Sequence, residues 1–299
     1  MKAFIPQHLK SGDTVAIVSP SGIVEKEPIM QSLNIFKAWG LNVLIGKNVF
    51  NRDGIFAGSD IERADDINKM IENTDVKAIF CSRGGYGAAR VVNSINFDKL
   101  KENPKWIIGF SDVTVIHSAL RKIGICSVHG VMPNSFSKTH EDSLSSLHKI
   151  LFGQPLTYET VSHHCNILGS ATGTLIGGNL SILYSLRGTP IDIDPSDSIL
   201  FIEDVGEKLY HLDRMMVNLN LSGILNKTKG LIVGGFSEMT DGNTPFGKTA
   251  EEIIRSHVMH LEIPVMFNLH SGHITKNLAL PMGKNISMEV NQKGGQIRL

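Results

Sequence analysis

No stretch of the 299 residues approaches the roughly 20 consecutive apolar residues of a membrane-spanning helix. An excess of one charge is also missing: 29 Lys plus Arg balance 29 Asp plus Glu, so no basic surface points to nucleic acid or an anionic membrane as partner. Cysteine is scarce, and Cys81, Cys126 and Cys165 are too few and too far apart for a disulfide framework. They read as thiols of a reducing compartment. Met1 to Leu9 lacks the apolar core of a signal peptide, so the expected location is the cytoplasm. G-x-G-x-x-G and the Gly-Lys-Ser/Thr ending of a P-loop are both absent, which removes the usual nucleotide fingerprints. His257 and His260 stand three apart without H-E-x-x-H or an evident third ligand, so neither metal nor cofactor is expected. Internal repeats and low-complexity segments are missing as well.

What is present is an alternation of apolar strands and amphipathic helices. Thr14–Ser19 is a short β-branched run broken by Pro20-Ser21-Gly22. Pro28–Trp39 has helical spacing and ends at Gly40, and Leu41–Ile45 is the next strand. Ser59 and Glu62 form a capping-box signature for a helix reaching Ile71. Val76–Cys81 is a strand, "SRGGYG" a loop and Ala88–Ile95 a helix. Trp106–Ile108 and Val113–Leu120 repeat the unit, and Cys126–Val131 closes it. This pattern predicts a doubly wound α/β domain, for which a flavodoxin-like strand order is expected although one sequence does not itself give the order. Periodicity weakens from Pro133, and the boundary is placed near residue 165, giving domains 1–165 and 166–299. The second half contains strands Ile199–Glu203 and Gly230–Phe236, a helix over Leu209–Leu219, and the strand-like pieces "LALPMG" and "NISMEV".

The chemistry-bearing segment is "KWIIGFSDVTVIHSAL". A strand meets a helix with no spacer, and Ser111 sits at the corner. Ligands of parallel α/β sheets lie beyond the carboxyl ends of the strands. A serine on such a turn is held into that space, with the amide after it aimed at a reacting carbonyl, as in a nucleophile elbow. Against G-x-S-x-G, the segment Gly109-Phe110-Ser111-Asp112-Val113 lacks the last glycine. The alternative is that Ser111 only caps the helix.

A nucleophilic serine needs a base and an orienting acid. His117 follows Ser111 by six positions and is expected to point away. His129 stands in a strand, His163 and His164 in the linker, and His273 and its rival His270 in a Gly-containing loop. Glu203 and Asp204 end an apolar strand, where a carboxylate is costly without a partner. The plain alternative is a helix-entry carboxylate or an ion pair with Arg214. Gly84-Gly85 leaves backbone amides for an oxyanion, unless the loop is a simple tight turn.

Taken in order, "GDTVAIVSPSG", "FAGSDIERADDI", "SRGGYGAAR", "IIGFSDVTVIHSAL", "HGVMPNS", "GTLIGGNLSIL", "LFIEDVGEKLYHLDRMM" and "SGHITKNLALPMG" resemble the landmarks of the LD-carboxypeptidase family of serine peptidases. The resemblance runs from about residue 12 to 283. It implies a Rossmann-like N-terminal domain and a smaller β-rich C-terminal domain, usually as a homodimer, with the site in an interdomain cleft. It implies a Ser111, Glu203, His273 triad and an oxyanion hole of the Asp112 and Gly85 amides. The implied substrate is a murein tetrapeptide, cut between a diamino acid and terminal D-alanine in cytoplasmic cell-wall recycling. Arg83, with Gly84 beside it, is the candidate for binding the substrate's free carboxylate. The alternative within the family is a microcin-type peptidase acting on peptidyl or aminoacyl nucleotides. Outside it, a non-catalytic small-ligand binding protein and an esterase remain open.

Overall fold

The structure, a computed structural model, describes residues 3–299. It divides into two compact units, one formed by the chain up to Pro155 with Thr275–Gly283, the other by Leu156–Ile274 and Lys284–Leu299. The boundary expected near residue 165 lies inside the second unit.

The first unit is built on strands Thr14–Val18 (β1), Asn42–Ile45 (β2), Val76–Cys81 (β3), Trp106–Gly109 (β4) and Ser127–His129 (β5). These run parallel in the order β5-β4-β3-β1-β2, the flavodoxin-like order expected. β1, β3 and β4 are buried almost throughout, as strands covered on both faces must be. The capping box forms: the Ser59 hydroxyl accepts from the Glu62 amide and the Glu62 carboxylate from the Ser59 amide, opening helix Asp60–Glu72. Three details depart from the sequence reading. The expected helix Ala88–Ile95 is a single α-turn, Ala88–Val91, followed by a 3₁₀ turn, Val92–Ser94, and then a short helix, Phe97–Glu102. The weakly periodic region contains a regular helix, Glu141–Leu151. The piece "LALPMG" supplies a sixth strand, antiparallel to β5, and so belongs to the first unit.

The second unit carries a mixed sheet of Thr157–Val161 (β6), Gly169–Asn179 (β7), Ser198–Val205 (β8), Gly230–Ser237 (β9) and Val265–Met266 (β10). With Leu280–Met282 as β11 of the first sheet, Asn285–Asn291 (β12) and Gly294–Arg298 (β13) complete it. Its order is β10-β9-β8-β7-β12-β13-β6, parallel from β10 to β7 and antiparallel beyond. Helices Leu209–Leu221 and Ala250–Val258 bury Leu212, Met215, Met216, Ile253 and Ile254 against Leu200, Ile202, Leu231 and Val233. No helix among the described residues is long and apolar enough to cross a membrane.

Candidate active site

On the first unit, β4 passes through Phe110 into a 3₁₀ turn, Ser111–Val113, and then helix Thr114–Lys122. Ser111 holds φ +64°. Left-handed backbone costs a non-glycine residue about 1–2 kcal/mol and is kept where its surroundings impose it. The cap positions are Phe110 and Val113, so Ser111 is not the helix cap. The missing last glycine also has a local reason. A Cβ on Gly109 would stand 2.8 Å from a Val113 methyl, so one glycine already makes the room that the turn needs.

The turn is fastened from below. Nε2–H of His117 donates to the Gly109 carbonyl at 2.9 Å, which fixes the tautomer, because a carbonyl only accepts. Nδ1 then accepts from the Ser127 hydroxyl at 2.8 Å. His117 therefore supports the elbow from beneath instead of pointing away from it, and burial lowers its pKa to about 3, keeping the ring neutral.

The loop from Ser82 to Gly87 leaves β3 and comes against the elbow. A Cβ on Gly84 would be 2.9 Å from the Ser111 Cβ and 3.1 Å from its Oγ, so any side chain there would have to displace the serine or the loop. The Gly22 amide donates to the Gly84 carbonyl at 3.1 Å, and Gly85 holds φ +102°. The loop is a built surface and not a tight hairpin turn. Arg83 is exposed, with Nη1–H donating to the Ile23 carbonyl at 3.0 Å. Asp112 is buried at 1% exposure, and its Oδ2 accepts from the Ser21 hydroxyl at 2.6 Å and the Ala88 amide at 2.7 Å.

On the second unit, Glu203 is fully buried near the carboxyl end of β8, where the register to β9 shifts between Ile202 and Asp204. Its Oε2 accepts from His273 Nδ1–H at 2.7 Å and from the His273 amide at 3.1 Å. A carboxylate only accepts, so the proton is on Nδ1 and the lone pair of the neutral ring on Nε2. Gly272, at φ +113°, makes this approach possible, since a Cβ there would lie 2.6 Å from that same Oε2. Burial alone would lower the His273 pKa, but the hydrogen bond and charge of Glu203, together with the charges of Asp204 and Glu238, outweigh it and hold the pKa above the ordinary value. His270 is exposed, and Arg214 lies over the Tyr210 ring, so Glu203 takes His273 and not the ion pair considered above. Neighbouring Asp204 accepts from Asn179 Nδ2 and the Ser181 amide, and burial lifts its pKa to about 6.

His163, His164 and Cys165 bring three ligand atoms within 4.8 Å. His163 Nδ1 already accepts from the Cys165 amide at 3.3 Å, and burial raises the Cys165 thiol's pKa, so this trio is not a ready ligand set.

A buried glutamate that pins a histidine in one tautomer on the second unit, and a serine held in left-handed backbone at a strand-to-helix corner on the first, are the chemistry-bearing features of the fold. Residues 15–130 match the LD-carboxypeptidase N-terminal domain and residues 172–288 the LD-carboxypeptidase C-terminal domain. The sequence is 36% identical to a putative carboxypeptidase of Synechocystis, over 95% of this chain and 94% of that one. The chain belongs to the LD-carboxypeptidase family. This family member is also 31% identical to a probable murein peptide carboxypeptidase of Bacillus subtilis, over 96% of this chain and 92% of that one. It superposes on the crystal structure of muramoyltetrapeptide carboxypeptidase from Oxalobacter formigenes with TM-score 0.88 and 32% identity, covering 95% and 98% of the two chains. A microcin C7 self-immunity protein structure shares the fold at TM-score 0.88 with 21% identity, covering 99% and 98% of the two chains.

Sequence reasoning overlooked Arg63, Ser21 and the side chain of Asp112. A signal existed for the first. Arg63, Ile67 and Ile71 repeat every four residues on the buried stripe of their helix, where an arginine is out of place without a task.

Proposed function

We propose that this LD-carboxypeptidase family member is a serine peptidase that removes terminal D-alanine from murein tetrapeptides, cutting after the L-centre of a diamino acid. The observation that carries the reading is the Glu203–His273 hydrogen bond, which leaves Nε2 as the basic atom of a neutral imidazole. Ser111, on its left-handed turn, is the nucleophile in this reading. His273 takes the hydroxyl proton as Ser111 attacks the scissile carbonyl, and Glu203 stabilises the imidazolium that forms. The amides of Asp112 and Gly85 receive the oxyanion; one such donor is typically worth about 10²–10³ in rate. His273 then passes the proton to the leaving amine of D-alanine, and water releases the acyl group. Arg83 and the adjacent Gly84 receive the terminal carboxylate. The names of the Bacillus and Oxalobacter relatives support the murein substrate. The same reading has the enzyme act in the cytoplasm as a homodimer on peptides recovered from wall turnover.

The test is D-alanine release from murein tetrapeptide, followed by mass spectrometry, for the parent protein and Ser111→Ala. Release by the parent, with a loss of several orders of magnitude in the variant, is expected. Equal release by both refutes Ser111. No release by a parent that a fluorophosphonate still labels discards the substrate and favours an aminoacyl-nucleotide amide.

A further inference from the structure

Two buried charges beside the elbow take no part in the chemistry above. Asp112 Oδ2 holds the Ser21 hydroxyl and the Ala88 amide. Arg63, with its side chain fully buried, donates from Nη1 to the carbonyls of Pro20 and Gly87, the latter at 3.0 Å, and from Nε to that of Gly58 at 3.3 Å. Its Nη2 pairs with Asp60, which also takes a bidentate contact from Arg90.

The arrangement has a pattern. The Gly87–Ala88 peptide is gripped at both ends, its carbonyl by the guanidinium and its N–H by the carboxylate. The loop after β1 is gripped the same way, the Pro20 carbonyl by Arg63 and the Ser21 hydroxyl by Asp112. A hydrogen bond from the Gly22 amide to the Gly84 carbonyl joins the two loops between these grips. A trans peptide points its C=O and N–H in opposite directions. Fixing the Gly84 carbonyl on Gly22 therefore fixes the direction of the Gly85 N–H.

Buried charges are a poor way to gain stability, because desolvation offsets much of their attraction. They do impose one geometry on the dipoles between them. We infer that the Asp112 carboxylate and the Arg63 guanidinium are positioning residues for the oxyanion donor Gly85, clamping the two loops that orient its amide. Asp112 then serves twice, by its own amide and by its side chain. This inference rests on the triad reading above.

The test uses the full chain, with Asp112→Asn and the milder Ser21→Ala. Three quantities are measured: kcat and KM for D-alanine release, the inhibition constant of a peptide boronic acid carrying boron at the scissile carbonyl, and Tm. Asp112→Asn is expected to lower kcat about 10–10²-fold and weaken the boronate by the same factor, with KM within about threefold. Ser21→Ala is expected to do the same by about five- to tenfold. A lower Tm with kcat and boronate affinity within threefold of the parent overturns the inference and makes the clamp merely structural. If Asp112→Asn does not fold, Ser21→Ala decides by the same criteria. If Ser111→Ala keeps full activity, or the parent neither turns over nor binds the boronate, the triad reading fails and the inference falls with it. Parent activity lost in Ser111→Ala but untouched in Ser21→Ala and Asp112→Asn refutes the clamp alone.

Discussion

Gly84→Ala places one methyl group against the proposed nucleophile. The added carbon would sit 2.9 Å from the Ser111 Cβ, 3.1 Å from its Oγ and 3.5 Å from the Phe110 carbonyl oxygen. Carbon atoms prefer separations of about 3.5–4.0 Å, so some 0.6–1 Å must be found. Gly84 is not among the positive-φ residues, so alanine meets no backbone penalty of its own there. The turn beneath Ser111 is pinned through the Gly109 carbonyl by His117 and the Gly130 amide, and the loop through the Gly84 carbonyl by Gly22. The displacement must therefore fall on the serine side chain and the local loop. Overpacking of this size costs about 1–3 kcal/mol, tolerable for a chain this long. A nucleophile misplaced by about 1 Å loses about 10² in rate. The expected result is a folded protein with Tm lowered by a few degrees, kcat for D-alanine release down about 10²-fold and fluorophosphonate labelling slowed in parallel. A variant within threefold of the parent in both rates would refute the claim that the loop of Gly84 and the hydroxyl of Ser111 form one working surface.

Three further outcomes are expected. Because Glu203, with Asp204 and Glu238, holds the His273 pKa above the ordinary value near 6.5, and a proposed base must be neutral, kcat/KM should rise with pH along a limb centred above 6.5. Glu203→Gln should move that limb to lower pH and cut kcat by about 10³–10⁴, so an unmoved limb counts against the pair. His117 is neutral in the fold with a pKa near 3, against about 6.5 unfolded, so the unfolded chain binds the extra proton between those values. Its contribution is intact above pH 6.5 and is lost as pH falls toward 3, by about 1.4 kcal/mol per unit. Urea melts of parent and His117→Gln at pH 7 and 4.5 should show the variant losing less stability on acidification; equal losses refute this. Arg83→Ala should raise KM for the tetrapeptide about tenfold or more with kcat little changed, and an unchanged KM removes Arg83 from carboxylate binding.

Much of this protein is written in local order. The β-branched runs of β1, β3 and β4, the capping box at Ser59 and the alternation of strand and helix determine a parallel sheet, because burial on both faces demands continuous apolar strands. The abrupt junction at Gly109–Ser111 is equally local, since a strand that becomes a helix without a spacer has to turn sharply on whatever residue stands there. Periodicity could not assign "LALPMG" to the first sheet, because a three-residue strand takes its place from its partner β5 and not from its own pattern. Nor could it choose His273 over His270. What the fold adds is a pairing: the fully buried carboxylate of Glu203 takes His273, and Gly272, whose missing side chain lets the loop close over it, permits the approach. Arg63 and Asp112 become meaningful only once the loops of β1 and β3 lie side by side, because a charge can grip a peptide from another strand only after the sheet has brought the two together.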